Sequence, residues 1–144
     1  MTDAASLSQP LYGATFGQAV SRFFAKYATF SGRASRSEYW WVVLFMAIIN
    51  GVFGVVYGIA MSTGISTDGT TYTLSAFAII VIVLWGLFGL ATLIPGIAVV
   101  VRRLHDGNFS GWLYLVSLIP GGSIVVLILT LLPSNPEGAR FDAA

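Results

Sequence analysis

The chain's one histidine, His105, precedes Asp106 and lies five residues before Ser110 in the stretch Arg102-Arg103-Leu104-His105-Asp106-Gly107-Asn108-Phe109-Ser110-Gly111-Trp112. These are the residue types of a nucleophile, a base and an orienting acid, but their spacing defeats that use. Adjacent helical residues point in different directions, so His105 and Asp106 do not face each other as a base and its orienting acid must. Metal chemistry is short of ligands as well, since there is no Cys, no second His and only six Asp and Glu. No catalytic residue, metal or cofactor is therefore expected.

What the stretch does offer is charge at a helix end. Arg102, Arg103 and His105 fall in the last turn of an apolar helix, where cations complement the negative end of its dipole. Gly107 follows as a C-cap and Ser110 can N-cap the next segment. A second polar group, Arg33, Arg36 and Glu38, stands at the entry of the first long apolar run. Pairing Arg33 or Arg36 with Asp106, and Glu38 with Arg102 or Arg103, would fix the angle between two helices. Any arginine left over could hold a lipid phosphate bidentately.

The elements that must position these groups follow from composition. Charged residues are 9 % of the chain and mean hydropathy is +0.84, against roughly 25 % charged residues in an average soluble domain. With hydrophobic residues at 56 % of 144, apolar surface must face lipid. The net charge of +1 gives no bulk basic excess for nucleic acid. The first thirty residues lack the pattern of a cleaved signal peptide, so an uncleaved first helix is expected to insert.

An all-α integral membrane protein is predicted, with residues 1–13 a mobile tail, 14–132 a single membrane domain and 133–144 a polar tail. Thr15 and Gln18 make a capping box for an amphipathic helix carrying Phe16, Val20, Phe23, Phe24 and Tyr27 on one face and Gln18, Arg22 and Lys26 on the other. Such a helix either lies in the membrane interface, cations toward headgroups, or packs on the protein's own body. Gly32 is its natural left-handed terminator. Ser35 and Glu38 make a second capping box, opening a helix that continues to about Ser62.

Three apolar helices are expected, at about 39–62, 74–101 and 112–132. The first has an aromatic belt of Tyr39, Trp40 and Trp41, a small-residue packing stripe at Gly54 and Gly58, and Asn50 placed to hydrogen-bond a neighbouring helix. Thr63–Thr73 reads as a short loop. The second run carries Gly86, Gly89 and Pro95, with Thr92 placed to take a carbonyl freed by the proline. The third, opened by the interfacial Trp112, is broken at Pro120-Gly121-Gly122. Crossing is the expectation for all three, though the break also permits a re-entrant hairpin.

Basic residues are distributed unequally. Arg22, Lys26, Arg33 and Arg36 precede the first span, Arg102 and Arg103 follow the second, and the intervening loop has none. The positive-inside rule then puts the N-terminus and the Arg102–Trp112 stretch, the hub of the polar residues, in the cytoplasm. Arg140 joins them if the third segment re-enters. Arg33, Arg36, Glu38, Arg102, Arg103, His105 and Asp106 thus form one cytoplasmic rim cluster.

Phe30-Ser31-Gly32-Arg33-Ala34-Ser35-Arg36-Ser37-Glu38-Tyr39-Trp40, together with Arg102-Arg103-Leu104-His105-Asp106 and Ser110-Gly111-Trp112, closely resembles the signature of a bacterial inner-membrane family, domain of unknown function 805. The resemblance covers about Phe16 to Phe141. It implies a small multi-pass protein of the bacterial cytoplasmic membrane without an assigned activity, and it gives the signature positions no role. The tail departs from the family pattern: Gly138-Ala139-Arg140-Phe141-Asp142 is a residue shorter, lacks an Asn and ends in Asp. The function expected is that of a structural or interaction protein whose Arg-rich rim contacts anionic lipid headgroups or a protein partner, another membrane protein or a second copy. The alternative is a small oligomeric channel or transporter component. The bilayer is a partner in either case, and nucleic acid in neither.

Overall fold

The computed structural model describes Leu7, residues 9–63 and residues 74–142. The expected loop over Thr63–Thr73 lies, past Thr63 itself, outside the described residues. All regular elements among the described residues are helical: α1 (Phe16–Ala25), α2 (Arg36–Ser62), α3 (Ala76–Asp106), a 3-10 helix (Gly111–Leu118), α4 (Gly122–Leu131) and a terminal 3-10 helix (Pro136–Phe141). They divide into two compact units, one holding the chain up to Val43 and from Ile94 onward, the other Leu44–Leu93.

Both expected capping boxes form. Thr15 Oγ1 accepts from the N–H of Gln18, whose side chain accepts from the N–H of Thr15. Ser35 Oγ accepts from Glu38 N at 3.2 Å, while Glu38 Oε2 accepts from Ser35 N at 3.0 Å. Gly32 has a left-handed φ of +81° but does not terminate α1 as expected, since that helix ends at Ala25 with Lys26 as its C-cap. At the end of α3, however, Asn108 rather than Gly107 is left-handed, with φ +65°.

α2 and α3 are each long and apolar enough to cross a membrane, at about 1.5 Å per residue against a hydrocarbon core of about 30 Å. Val55, Leu87 and Leu90 are more than half exposed, a lipid-facing pattern rather than that of a soluble core. In the Leu44–Leu93 unit, Ala60, Ala78 and Val81 are buried and Phe53, Val56 and Tyr57 pack on them. Asn50 does reach a neighbouring helix, its Oδ1 accepting from Trp85 Nε1 at 3.0 Å. Among the described residues the expected packing stripe meets no partner: a Cβ at Gly54, Gly58, Gly86 or Gly89 would have nothing within 4 Å. Thr92 likewise bonds the carbonyl of Phe88 at 2.8 Å, not the Ala91 carbonyl that Pro95, lacking an N–H, leaves free.

The third apolar segment is a hairpin, not a span. The 3-10 helix ends at Leu118, with Ile119 as its C-cap; then Gly122 N bonds Ile119 O at 2.8 Å, and Gly121 has φ 81°, ψ −12°, the values of the third position of a type II turn with proline second. The chain then doubles back, and α4 packs against the 3-10 helix. Contact there is tight, since a Cβ at Gly122 would lie 1.7 Å from Val116 O. Ten residues of α4 rise about 15 Å, half a hydrocarbon core. The expectation that this segment crosses is therefore corrected.

Candidate functional site

α2 begins and α3 ends side by side. Ala34 N donates to Arg102 O at 3.0 Å, Gly32 N to Phe141 O at 2.8 Å and Asn135 N to Asp106 O at 2.7 Å. Both chain segments set outside the membrane domain by composition thus contribute to it. Gln9–Gly13, expected to be part of a mobile tail, is tied in: Leu11 N donates to Glu38 Oε2 at 2.9 Å and Tyr12 Oη to Asp106 Oδ1 at 3.2 Å. The C-terminal segment comes close enough that a Cβ at Gly138 would lie 2.3 Å from His105 O, so glycine is required there.

Arg103 is the centre of the junction. It is fully buried, as is Asp106, and Nη1 donates to Asp106 Oδ2 at 2.6 Å. Its Nε donates to Thr130 O at 3.0 Å and its Nη2 to Leu132 O. A helix leaves its last carbonyls without intrahelical donors, so Arg103 caps α4 from outside and fastens the hairpin's returning end beside the α3 terminus. Ser134 Oγ also donates to Asp106. A buried pair of this kind offsets its desolvation only when the remaining donors and acceptors are satisfied, and here both partners have further hydrogen bonds.

The pairing read from the sequence is half corrected. Arg33 does approach Asp106, but at 3.9 Å; its main partner is Asp142, gripped through Nε at 2.9 Å and Nη2 at 2.6 Å. That carboxylate raises the Arg33 pKa further above its ordinary value. Glu38 pairs with neither Arg102 nor Arg103. It is buried and binds Arg22, a residue of α1.

α1 therefore packs on the protein's own body, burying Ala19 and Phe23. Arg22 and Lys26, which an interfacial helix would turn toward headgroups, turn inward: Lys26 is 2 % exposed. Burial, with Arg22 nearby, lowers the Lys26 pKa to about 8. Composition could not reveal this, because an amphipathic pattern does not say which face meets protein. Arg22, Lys26 and Asp142 are the cluster members that sequence reasoning missed, and the inward-facing i, i+4 spacing of Arg22 and Lys26 was the available signal.

The remaining expected residues are dispersed. Arg36 is exposed and has no ion-pair partner among the described residues. His105 stacks on Phe141, centroids 4.1 Å apart, and its Nδ1 lies 3.1 Å from Gly32 O; a carbonyl can only accept, so Nδ1 carries the hydrogen. Its ring also lines an apolar groove of 440 Å³ with Phe30, Val101, Trp112 and Leu115. Among the aromatics assigned to the interface, Trp112 is 79 % exposed, and Trp41 donates to Ala14 O at 2.8 Å with its ring edge-on to Phe16. Tyr39 is buried and lies outside any belt; Trp40 packs edge-on against it.

Residues 27–143 match the model of a family described as protein of unknown function, DUF805. Among characterised sequences, inner membrane protein YhaI of Escherichia coli K12 is 30 % identical over 114 residues, covering 79 % of this chain and 82 % of that protein. Inner membrane protein YhaH of the same organism is 29 % identical over 116 residues, covering 80 % and 85 % respectively. No solved structure matches the chain.

Proposed function

The chain belongs to the DUF805 family of inner-membrane proteins, a membership that brings no activity with it, and we propose that its role is architectural. It is a membrane-embedded interaction protein: the junction at the ends of α2 and α3 is a fixed frame on the cytoplasmic face, and the cations outside that frame contact anionic lipid headgroups. The observation that carries this reading is the pairing of each carboxylate at the junction with an arginine of the same chain. Arg22, Arg33 and Arg103 are each committed to an internal carboxylate, which suits a fixed joint. Arg36 and Arg140, both exposed, remain turned outward as anchors for phosphate.

The hairpin's return supports placing Arg140 on the hub's side, which gathers all seven Lys and Arg on the face that the positive-inside rule calls cytoplasmic. A reporter fused after residue 142 tests the sidedness, and an extracytoplasmic C-terminus refutes it. The lipid contact is tested by native mass spectrometry from phosphatidylcholine with and without phosphatidylglycerol. Arg36→Gln/Arg140→Gln is expected to lose retained phosphatidylglycerol, and unchanged retention refutes the contact. For a transport role the single chain offers no favouring observation: Asn50, the strongly polar side chain of α2's apolar core, is engaged by Trp85.

A further inference from the structure

The polar junction is not electrically balanced. Its three carboxylates are each taken by one guanidinium: Glu38 by Arg22, Asp142 by Arg33 and Asp106 by Arg103. Lys26 and Arg102 are left over. Both are 2 % exposed, and both end in a buried nitrogen, Lys26 Nζ and Arg102 Nη2, with no hydrogen-bond partner among the described residues. Arg102 bonds through Nε to Ala98 O at 3.1 Å. The two are near enough for the positive charge of Arg102 to disfavour protonation of Lys26. An unpaired buried charge is among the costliest arrangements a fold can hold, and here two stand in one cluster.

We infer that Lys26 and Arg102 form a binding site for a phosphate group carrying two negative charges, a phosphomonoester headgroup or the free ion. The chemistry fits each side chain. Arg presents a planar fork that matches phosphate oxygens, with its outer nitrogen unused, while Lys adds a point charge on a flexible stem. The charge also fits, since a dianion neutralises the excess that the three carboxylates leave, whereas a phosphodiester would neutralise half of it. The site is distinct from the exposed Arg36 and Arg140 and stands or falls separately from any contact they make.

Full-length protein in an uncharged detergent, titrated with inorganic phosphate and separately with phosphatidic acid, tests the inference through thermal unfolding and native mass spectrometry. One or both ligands are expected to raise Tm, phosphatidic acid more than phosphatidylglycerol at equal concentration. Lys26→Met and Arg102→Met should each weaken binding about tenfold or more. Stabilisation by phosphatidic acid alone assigns the site to lipid, and by inorganic phosphate to a soluble ligand; either outcome supports it. Because each Met variant removes an orphaned charge, it should fold and melt no lower than wild type without ligand. A clearly lower Tm overturns the premise that these charges are unpaired. Binding that survives both substitutions, or its absence with every probe, overturns the site, and it does so without touching the proposed lipid contact, which phosphatidylglycerol retention through Arg36 and Arg140 reads separately.

Discussion

Asp106→Ala should separate a buried junction from a solvated one. In the folded protein the Arg103–Asp106 pair has no exposed side-chain surface, whereas the Arg33–Asp142 clasp is 12 % and 20 % exposed. Removing Asp106 leaves Arg103 bound to two carbonyls but buried with an uncompensated charge, and also strips Tyr12 and Ser134 of their acceptor. Breaking a buried pair from one side costs about 3–5 kcal/mol. Removing Asp142 from its partly exposed site should cost less, about 1.5–3 kcal/mol for lost hydrogen bonds to a charged group. The double variant Arg103→Met/Asp106→Leu, which removes both charges together, should recover much of the loss, less the caps on Thr130 and Leu132. Unfolding by sodium dodecyl sulfate in dodecylmaltoside micelles, followed by the fluorescence of the four tryptophans, gives the comparison. A cost for Asp106→Ala below about 1 kcal/mol, or no greater than for Asp142→Ala, would refute the reasoning that this pair is a buried fastening.

Gly122→Ala places a Cβ 1.7 Å from Val116 O, so the hairpin must open; proteolytic cleavage within residues 111–131 should become faster, and an unchanged pattern counts against the tight turn. Asn50→Leu loses the bond from Trp85 and should cost about 0.6 kcal/mol, with about 1.7 as an upper bound, read by the same micellar unfolding; zero cost would mean that Trp85 finds another acceptor. Lys26 has its folded pKa lowered from 10.5 to about 8. Between those values the unfolded chain binds more protons, so stability should rise as pH increases from about 8 towards 10.5. Lys26→Met should lack that rise, and an identical pH profile in the variant contradicts the assignment.

Much of the frame was legible because its signals are local. The Thr15–Gln18 and Ser35–Glu38 boxes need three residues of sequence, and the bounds of α2 follow from the second box and an uninterrupted apolar run. The meeting of the α2 entry with the α3 exit followed from charge distribution alone. Partner choice did not, because it depends on which of several cations reaches a carboxylate first in space: Glu38 takes Arg22 from α1, and Arg33 takes Asp142 from a segment that composition presents as a tail. The glycine stripe misled for a related reason. Gly54 and Gly58 have the spacing for close packing, but spacing carries no information on whether a helix stands opposite. Pro120-Gly121 was recognisable as a break, while its consequence required the type II geometry and the contact of Gly122 with Val116.

Arg103 capping the returning end of α4 also bears on the order of assembly. Thr130, Leu132 and Asp142 lie C-terminal to Arg103 and leave the ribosome after it, so neither it nor Arg33 has its final partners when α2 and α3 first emerge. Closure must wait until residues through 142 have left the ribosome. During that interval the nascent protein holds a cationic, half-built joint at the membrane surface, open to chaperones or proteases that distinguish finished from unfinished chains.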